Sequence, residues 1–222
     1  MQQLLIGLMT EGTTDWRFLE SIIKRAFYEI SFECHTMVEV YSINFINNLE
    51  ELKFVDKVLE ASKRGREEFG ITILCIHSDA DTKTLKETYQ YKINPAKETL
   101  QQQNEIEYCK IMVAIVPMQE TESWLLADKE LFKKQIGTNK TDTELGIHRN
   151  AETIANPKEV IQEAIRIARK DSTKRRRKEL TISELYQSIG EAIDLEKLES
   201  FESYQDFKNN VKAAYKELGL LY

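Results

Sequence analysis

A chain of 222 residues, 41% hydrophobic and 31% charged, can bury a substantial core as one large domain or as a core with a smaller attached part. No run approaches the roughly 20 apolar residues of a membrane span, and the N-terminus shows neither a basic flank nor a small-residue cleavage site, which argues against secretion. The formal charge of −6 argues against a general polyanion binder, while Cys34, Cys75 and Cys109 match no paired zinc spacing and no disulfide scaffold, so a cytoplasmic setting is expected.

The first apolar run, LLIGLM (4–9), reads as a buried strand. Trp16, Leu19, Ile22, Ile23, Ala26 and Phe27 then recur at helical spacing, with Thr13 or Thr14 as a cap. TMVEVY (36–41) alternates and reads as a second strand; Leu49, Leu52, Val55, Val58 and Leu59 mark the next helix. ITILCI (71–76) and IMVAIV (111–116) complete a set of four strands short enough to be covered on both faces. Strands alternating with helices predict parallel pairing.

After Pro117 the pattern is helical. ETESWLLADKELF opens one helix, and residues 138–155 read as an irregular connection. Asn156-Pro157 starts a helix presenting Val160, Ile161, Ala164, Ile165 and Ala168. Thr181 and Glu184 form a candidate capping box, and Phe207, Val211, Ala214 and Leu218 line the last helix. The expected architecture is a three-layer α/β core over residues 1–135 with a mainly parallel sheet, and a helical C-terminal part over 136–222 packed on it.

A parallel sheet gathers the carboxyl ends of its strands on one edge, where ligands bind. Glu11 leaves the first strand there, and HSDAD (77–81) brings Asp79 and Asp81, which face one way while the chain is extended. PMQETESWLLAD (117–128) adds Glu120 and Glu122 beyond the fourth strand. Crowded carboxylates repel unless a cation neutralises them, and hard oxygen ligands suit Mg2+ or Mn2+ and, through it, phosphoryl or phosphodiester chemistry. Each acid also has a plainer reading: Glu11 as a turn former or cap, Asp79 or Asp81 as a cap for a segment starting near Thr82, and Glu122 as first-turn decoration that suits the helix dipole. Gly12 serves equally for a tight turn or for close approach of a phosphate. Trp124, Leu125 and Leu126 read as core contacts. His77 is a candidate orienter or proton shuttle, or simply a hydrogen-bonded wall residue, and Lys83 a candidate phosphate contact or a surface residue.

EGTTDWRFL (11–19), HSDADT (77–82), PMQETESWLLAD (117–128), NPKEVI (156–161) and, more weakly, YQSIGEAIDLEKLESFESYQDFKNNV (186–211) together resemble the Toprim-fold proteins of the bacterial group called domain of unknown function 4276. The resemblance spans almost the whole chain. It implies a Toprim-like, Rossmann-type core, with Glu11 as acid–base residue or metal ligand, Asp79 and Asp81 as magnesium ligands, and Glu122 as an auxiliary ligand. Asp15 stands where that group more often has glutamate, which implies a shorter supporting arm or a cap. Topoisomerase and primase accessory domains are lacking, so the resemblance implies a nuclease, or the nuclease-like subunit of a bacterial defence system, rather than a topoisomerase.

RIARKDSTKRRRK (166–178) sets eight basic residues against one acid, a local charge of +7. Lys174, Arg175, Arg176, Arg177 and Lys178 are the candidate nucleic-acid contacts; the same block can be a solvated helix end or can face an acidic partner. The leading expectation is Mg2+-dependent (or Mn2+-dependent) phosphodiester hydrolysis on DNA or RNA. Two alternatives stand beside it. One is a non-catalytic or partner-activated module that binds nucleic acid, a partner ATPase or another defence-system protein, or a second copy of the chain. The other is a hydrolase of a small nucleotide. An Asp-x-Asp nucleophile after the first strand, a response-regulator acid pair and a Gly-rich dinucleotide turn are each missing from the positions they need.

Overall fold

The computed structural model describes residues 1–47, 49, 51–82, 84–170 and 180–222. Lys83 and the run from Lys174 to Lys178 lie outside the described residues. The protein is α/β with parallel strands throughout the described part. No described helix is long and apolar enough to cross a membrane.

The first apolar run makes two short strands, β1 (Gln2–Leu4) and β2 (Ile6–Met9), rather than one. Between them the Leu5 carbonyl accepts the amides of both Thr72 and Ile73, at 2.7 and 3.4 Å, so two residues face one and the ladder breaks. Helix α1 (Thr13–Ser31) follows. The second expected strand is shorter, β3 (Val38–Val40), and among the described residues pairs with β1 and not with the main sheet. A two-residue strand that the alternation did not mark, β4 (Asn44–Phe45), pairs with β2 instead. After α2 (Phe54–Phe69), β5 (Ile73–His77) adds to the other side of β2 with Leu8 opposite Cys75. Then come α3 (Leu85–Thr88), a π turn (Tyr89–Ile93), α4 (Asn94–Gln101) and β6 (Met112–Ile115), which pairs with β5 so that His77 lies opposite Ile115.

The main sheet therefore runs β4-β2-β5-β6. The chain moves outward from β2 to β4, then crosses to β5 on β2's other side. The direction of winding reverses between β2 and β5, the position where open α/β sheets form a crevice at the strands' carboxyl ends.

Both faces of the sheet are buried, which is why the strands read as nearly continuous apolar runs. Ile6, Leu8, Ile73, Cys75, Val113 and Ile115 share a core with α1 and the C-terminal helices. Met9, Leu74, Ile76, Met112, Ala114 and Val116 point to the opposite core, under α2 and α4. The alternation inside each strand is the period of two of a pleated chain.

Beyond β6 the long helix expected from ETESWLLADKELF is two pieces. A single turn, α5 (Glu122–Leu125), is followed by α6 (Lys129–Ile136), whose N-terminus is capped by the Asp128 side chain accepting the Leu131 amide at 2.9 Å. After a connection with one 3-10 turn (Ala151–Thr153) come α7 (Pro157–Arg169), α8 (Leu185–Ala192) and α9 (Glu202–Glu217). Thr181 and Glu184 form the expected capping box. Trp124, Leu125, Phe132, Tyr186, Ile189, Tyr204, Phe207 and Val211 join the same apolar cluster as the α1 face of the sheet, so the C-terminal helices complete that layer.

Arg25 ties α1 to α8 by donating to the Ile193 and Gly190 carbonyls at 2.6 and 2.8 Å. These are orphan carbonyls of the α8 C-terminus, where a cation also suits the helix dipole. Arg25→Met should lower stability by about 2 kcal/mol. Urea unfolding checks this through a lower midpoint at unchanged slope; an unchanged midpoint would show that water replaces the guanidinium without loss.

Candidate functional site

Glu11 and Asp79 both follow strands that flank the β2/β5 crevice, Glu11 bonding Ser78 while the Asp79 carboxylate turns to His77 and Thr121. Ser78 Oγ donates to Glu11 Oε1 at 3.0 Å. Lys92 Nζ donates to the same Glu11 oxygen at 2.7 Å and to Ser78 Oγ at 2.5 Å. The side chain of Glu11 is 41% exposed, so this carboxylate is the solvent-facing part of the cluster.

Lys92 arrives there through a helix irregularity. Pro95 has no amide to give the Tyr91 carbonyl, and the Asn94 amide bonds back to Tyr89, five residues earlier. The result is one wide turn, the kind of local expansion that helices use at special positions. The Lys92 ammonium also lies 5.1 Å from the centre of the Phe54 ring, a cation–π contact.

Asp79 is gripped more tightly. Its Oδ1 accepts the Thr121 amide at 2.9 Å and the Thr121 hydroxyl at 3.2 Å, and lies 3.1 Å from His77 Nε2. Thr121 Oγ1 is also 2.9 Å from His77 Nε2. Burial works to lower the His77 pKa, but the carboxylates of Asp79, Asp15 and Glu11 outweigh it and push it up to about 9. Protonation places an N–H at Nδ1, which is buried without a hydrogen-bond partner among the described residues, so the carboxylates act against that cost too. Burial acts to raise Asp79, yet the His77 charge and the Thr121 donors hold it below the usual carboxylate range. The His77 ring is fully buried and hydrogen-bonded to Asp79 and Thr121.

Asp15 lies beside this pair. Its Oδ2 accepts the Gly12 amide at 3.0 Å, so the N-cap of α1 is Gly12 with Asp15 reaching back, and not Thr13 or Thr14. The cap is possible because the carboxylate sits three residues into the helix. Burial, with Asp79 and Glu122 nearby, raises the Asp15 pKa, while His77 opposes the shift.

Asp81 departs from the extended alignment that would direct it alongside Asp79. Its φ is +54°, in the left-handed region, and its side chain is exposed. Its amide donates to the carbonyl of Gln119, itself at φ +63°, at 2.8 Å. Two non-glycine residues held in this region mark stored backbone strain at the rim. Neither Asp79 nor Asp81 caps the next helix; Thr84 does, with Glu87 in a reciprocal box.

Glu122 is buried rather than surface decoration. Tyr186 donates its hydroxyl to Glu122 Oε1, and Lys158 Nζ lies 3.4 Å from the same oxygen. The Tyr186 phenol is driven strongly upward by burial and by Glu122, which keeps it a donor. Glu120 is also raised, chiefly by burial and then by Glu122. Trp124, Leu125 and Leu126 are core residues, as expected. Ser78, Thr121, Lys158 and Tyr186 lie inside the quoted motifs without being singled out there, and Lys92 lies outside them; each takes its place through a contact with a distant part of the chain.

The carboxylate oxygens suit a hard divalent ion in kind. In arrangement, the acids are matched to the chain's own cations: Glu11 to Lys92, Asp79 to His77, Glu122 to Lys158. Among the described residues, no three His, Cys, Asp or Glu side chains are grouped closely enough to hold a metal. Known proteins add nothing to this geometry. No family model matches the chain, and no curated protein or solved structure does.

Proposed function

We propose that the β2/β5 rim hydrolyses phosphodiester bonds in DNA or RNA with a Mg2+ or Mn2+ requirement, as the Toprim-like component of a bacterial defence system. The observation that carries this reading is that Glu11 and Asp79 follow the carboxyl ends of β2 and β5, the two strands between which the sheet reverses its winding. The motif resemblance supports it and supplies the biological setting. On this reading Glu11, Asp79 and Asp81 would hold a divalent ion after Glu11 leaves Lys92 and Asp81 turns inward, and the ion would supply stabilisation of charge at the phosphate.

The chain's own groups do the rest. His77 and Thr121 hold Asp79 ionised and in one orientation. Glu11, the exposed member, would serve as the acid–base residue on this reading. Lys92 supplies positive charge where a phosphate oxygen would arrive.

Wild type, Glu11→Gln and Asp79→Asn should be incubated with end-labelled DNA and RNA in Mg2+, Mn2+ or EDTA. Metal-dependent cleavage of one polymer by the wild type, slowed by about 100-fold or more in each variant, is expected. Equal rates in wild type and Asp79→Asn would overturn the reading. The ion pair that occupies Glu11 favours a second reading, a module silent until a partner engages it. Metal binding without cleavage of either polymer, followed by cleavage when a partner is supplied, would support that one.

A further inference from the structure

Among the described residues, strand β3 is paired on one side alone. The Gln2 amide donates to the Met37 carbonyl at 2.8 Å and the Tyr41 amide to the Leu4 carbonyl at 3.2 Å, which fixes the phase of the ladder with β1. Alternate residues of a parallel strand bond to opposite sides. Val38 and Val40 therefore direct their amides and carbonyls outward, where no described strand meets them. The stretch 36–41 contains neither the lysine nor the proline that commonly keeps an edge strand single.

Beside this edge lies a groove of about 710 Å³, walled by Tyr28, Ser31 and Phe32 from the end of α1 and by Met37, Val38 and Val40. Tyr28, Phe32 and Met37 are 55%, 72% and 72% exposed, and the two rings pack edge to face at 4.9 Å. At about 200 Å² per large side chain, these three leave roughly 400 Å² of apolar surface in water. None of the rim residues lines the groove, so this face is independent of the phosphodiester reading.

We propose that this face is a homodimer interface, in which β3 of a second copy adds antiparallel to β3 and the two Tyr28–Phe32–Met37 patches cover each other. A second copy fits because the edge complements itself. With Val38 on the two-fold axis, its amide and carbonyl exchange bonds with their symmetry mates. Met37 then faces Glu39 across the strands, and the two Glu39 carboxylates stay apart. The two patches supply roughly 800 of the ~1,200 Å² at which specific interfaces begin, leaving about 200 Å² per copy to the strand edge and groove walls.

Sedimentation equilibrium of the full chain from about 1 to 100 μM tests this in wild type and in Phe32→Lys with Met37→Lys. Both side chains are exposed, and a lysine at the C-terminus of α1 suits the helix dipole. Each single substitution serves as a further variant, and thermal melting confirms the folds. The wild type should dimerise within this range, and the double variant should associate at least about 100-fold more weakly. Amide exchange across 37–41 should also be slower in the dimeric wild type than in the double variant. A wild type that stays monomeric throughout would overturn the proposal and leave the edge to an extended peptide of another protein. A dimer undiminished by the two lysines, or one whose 37–41 amides exchange as fast as in the monomer, would overturn it as well.

Discussion

Replacing Gly190 with alanine is expected to cost about 3 kcal/mol of stability, one of the largest effects of any single methyl group in this protein. Gly190 lies in α8 where that helix crosses α1, and a Cβ built there would stand 2.3 Å from the Phe18 carbonyl oxygen and 2.9 Å from its Cα. These are backbone atoms inside a helix, so no rotamer change relieves the clash; the helices must part. Arg25 also anchors on the Gly190 carbonyl, so separation disturbs the α8 cap as well. Chemical denaturation should show the loss, and Gly190→Ala with wild-type stability would mean that α1 and α8 pack less closely than described. The effect should reach the rim. Tyr186 rides on α8 and bonds Glu122, so a displaced α8 withdraws the hydroxyl from a buried carboxylate.

The second large effect is on pH dependence. In metal-free buffer, stability should fall by on the order of 3 kcal/mol as pH rises from 6.5 to about 9. The sign follows from His77, whose folded-state pKa is raised from 6.5 to about 9 by Asp79, Asp15 and Glu11 against the lowering effect of burial. A raised basic group contributes stability that is complete below 6.5 and is lost as pH climbs through the folded value. Asp79, held below 3.8, contributes in the opposite sense: its share is present above that value and disappears on acidification. Asp15 is raised from 3.8 by burial, so its ionisation costs stability as pH rises through the acid range. Thermal melting across pH 5–9 checks the slope, which should flatten in Asp79→Asn because the largest carboxylate partner of His77 is gone. A wild-type profile as flat as that of the variant would show His77 to be neutral at its buried position.

Much of this architecture is legible in the residues. The apolar runs at 4–9, 71–76 and 111–116 become strands because both sheet faces are covered, and the helical spacing from Trp16 to Phe27 becomes the buried side of α1. Glu11 and Asp79 leave their strands at one edge because parallel strands share a carboxyl edge, a property of topology that alternation of strands and helices already implies. The errors are equally physical. Alternation in 36–41 could not say which strand it would pair with, and β3 joins β1 while the unmarked β4 takes the place beside β2. Spacing put Asp81 beside Asp79, but that inference assumed extended chain, and Asp81 turns to positive φ. Lys92 follows no periodic pattern because the π turn shifts it off the α-helical phase.

Residue order thus settled the local matters: where strands and helices form, which side of each is apolar, and which acids leave the strands at the shared edge. These depend on neighbours a few positions apart, through pleat, helical repeat and capping. The folded chain alone decided how those acids are neutralised, through Lys92 on Glu11, His77 and Thr121 on Asp79, and Tyr186 and Lys158 on Glu122. Charge interactions act through space and weaken with distance, screened over about 10 Å at 0.1 M salt where exposed, so partners 36 or 81 positions apart pair only after packing has brought their elements together.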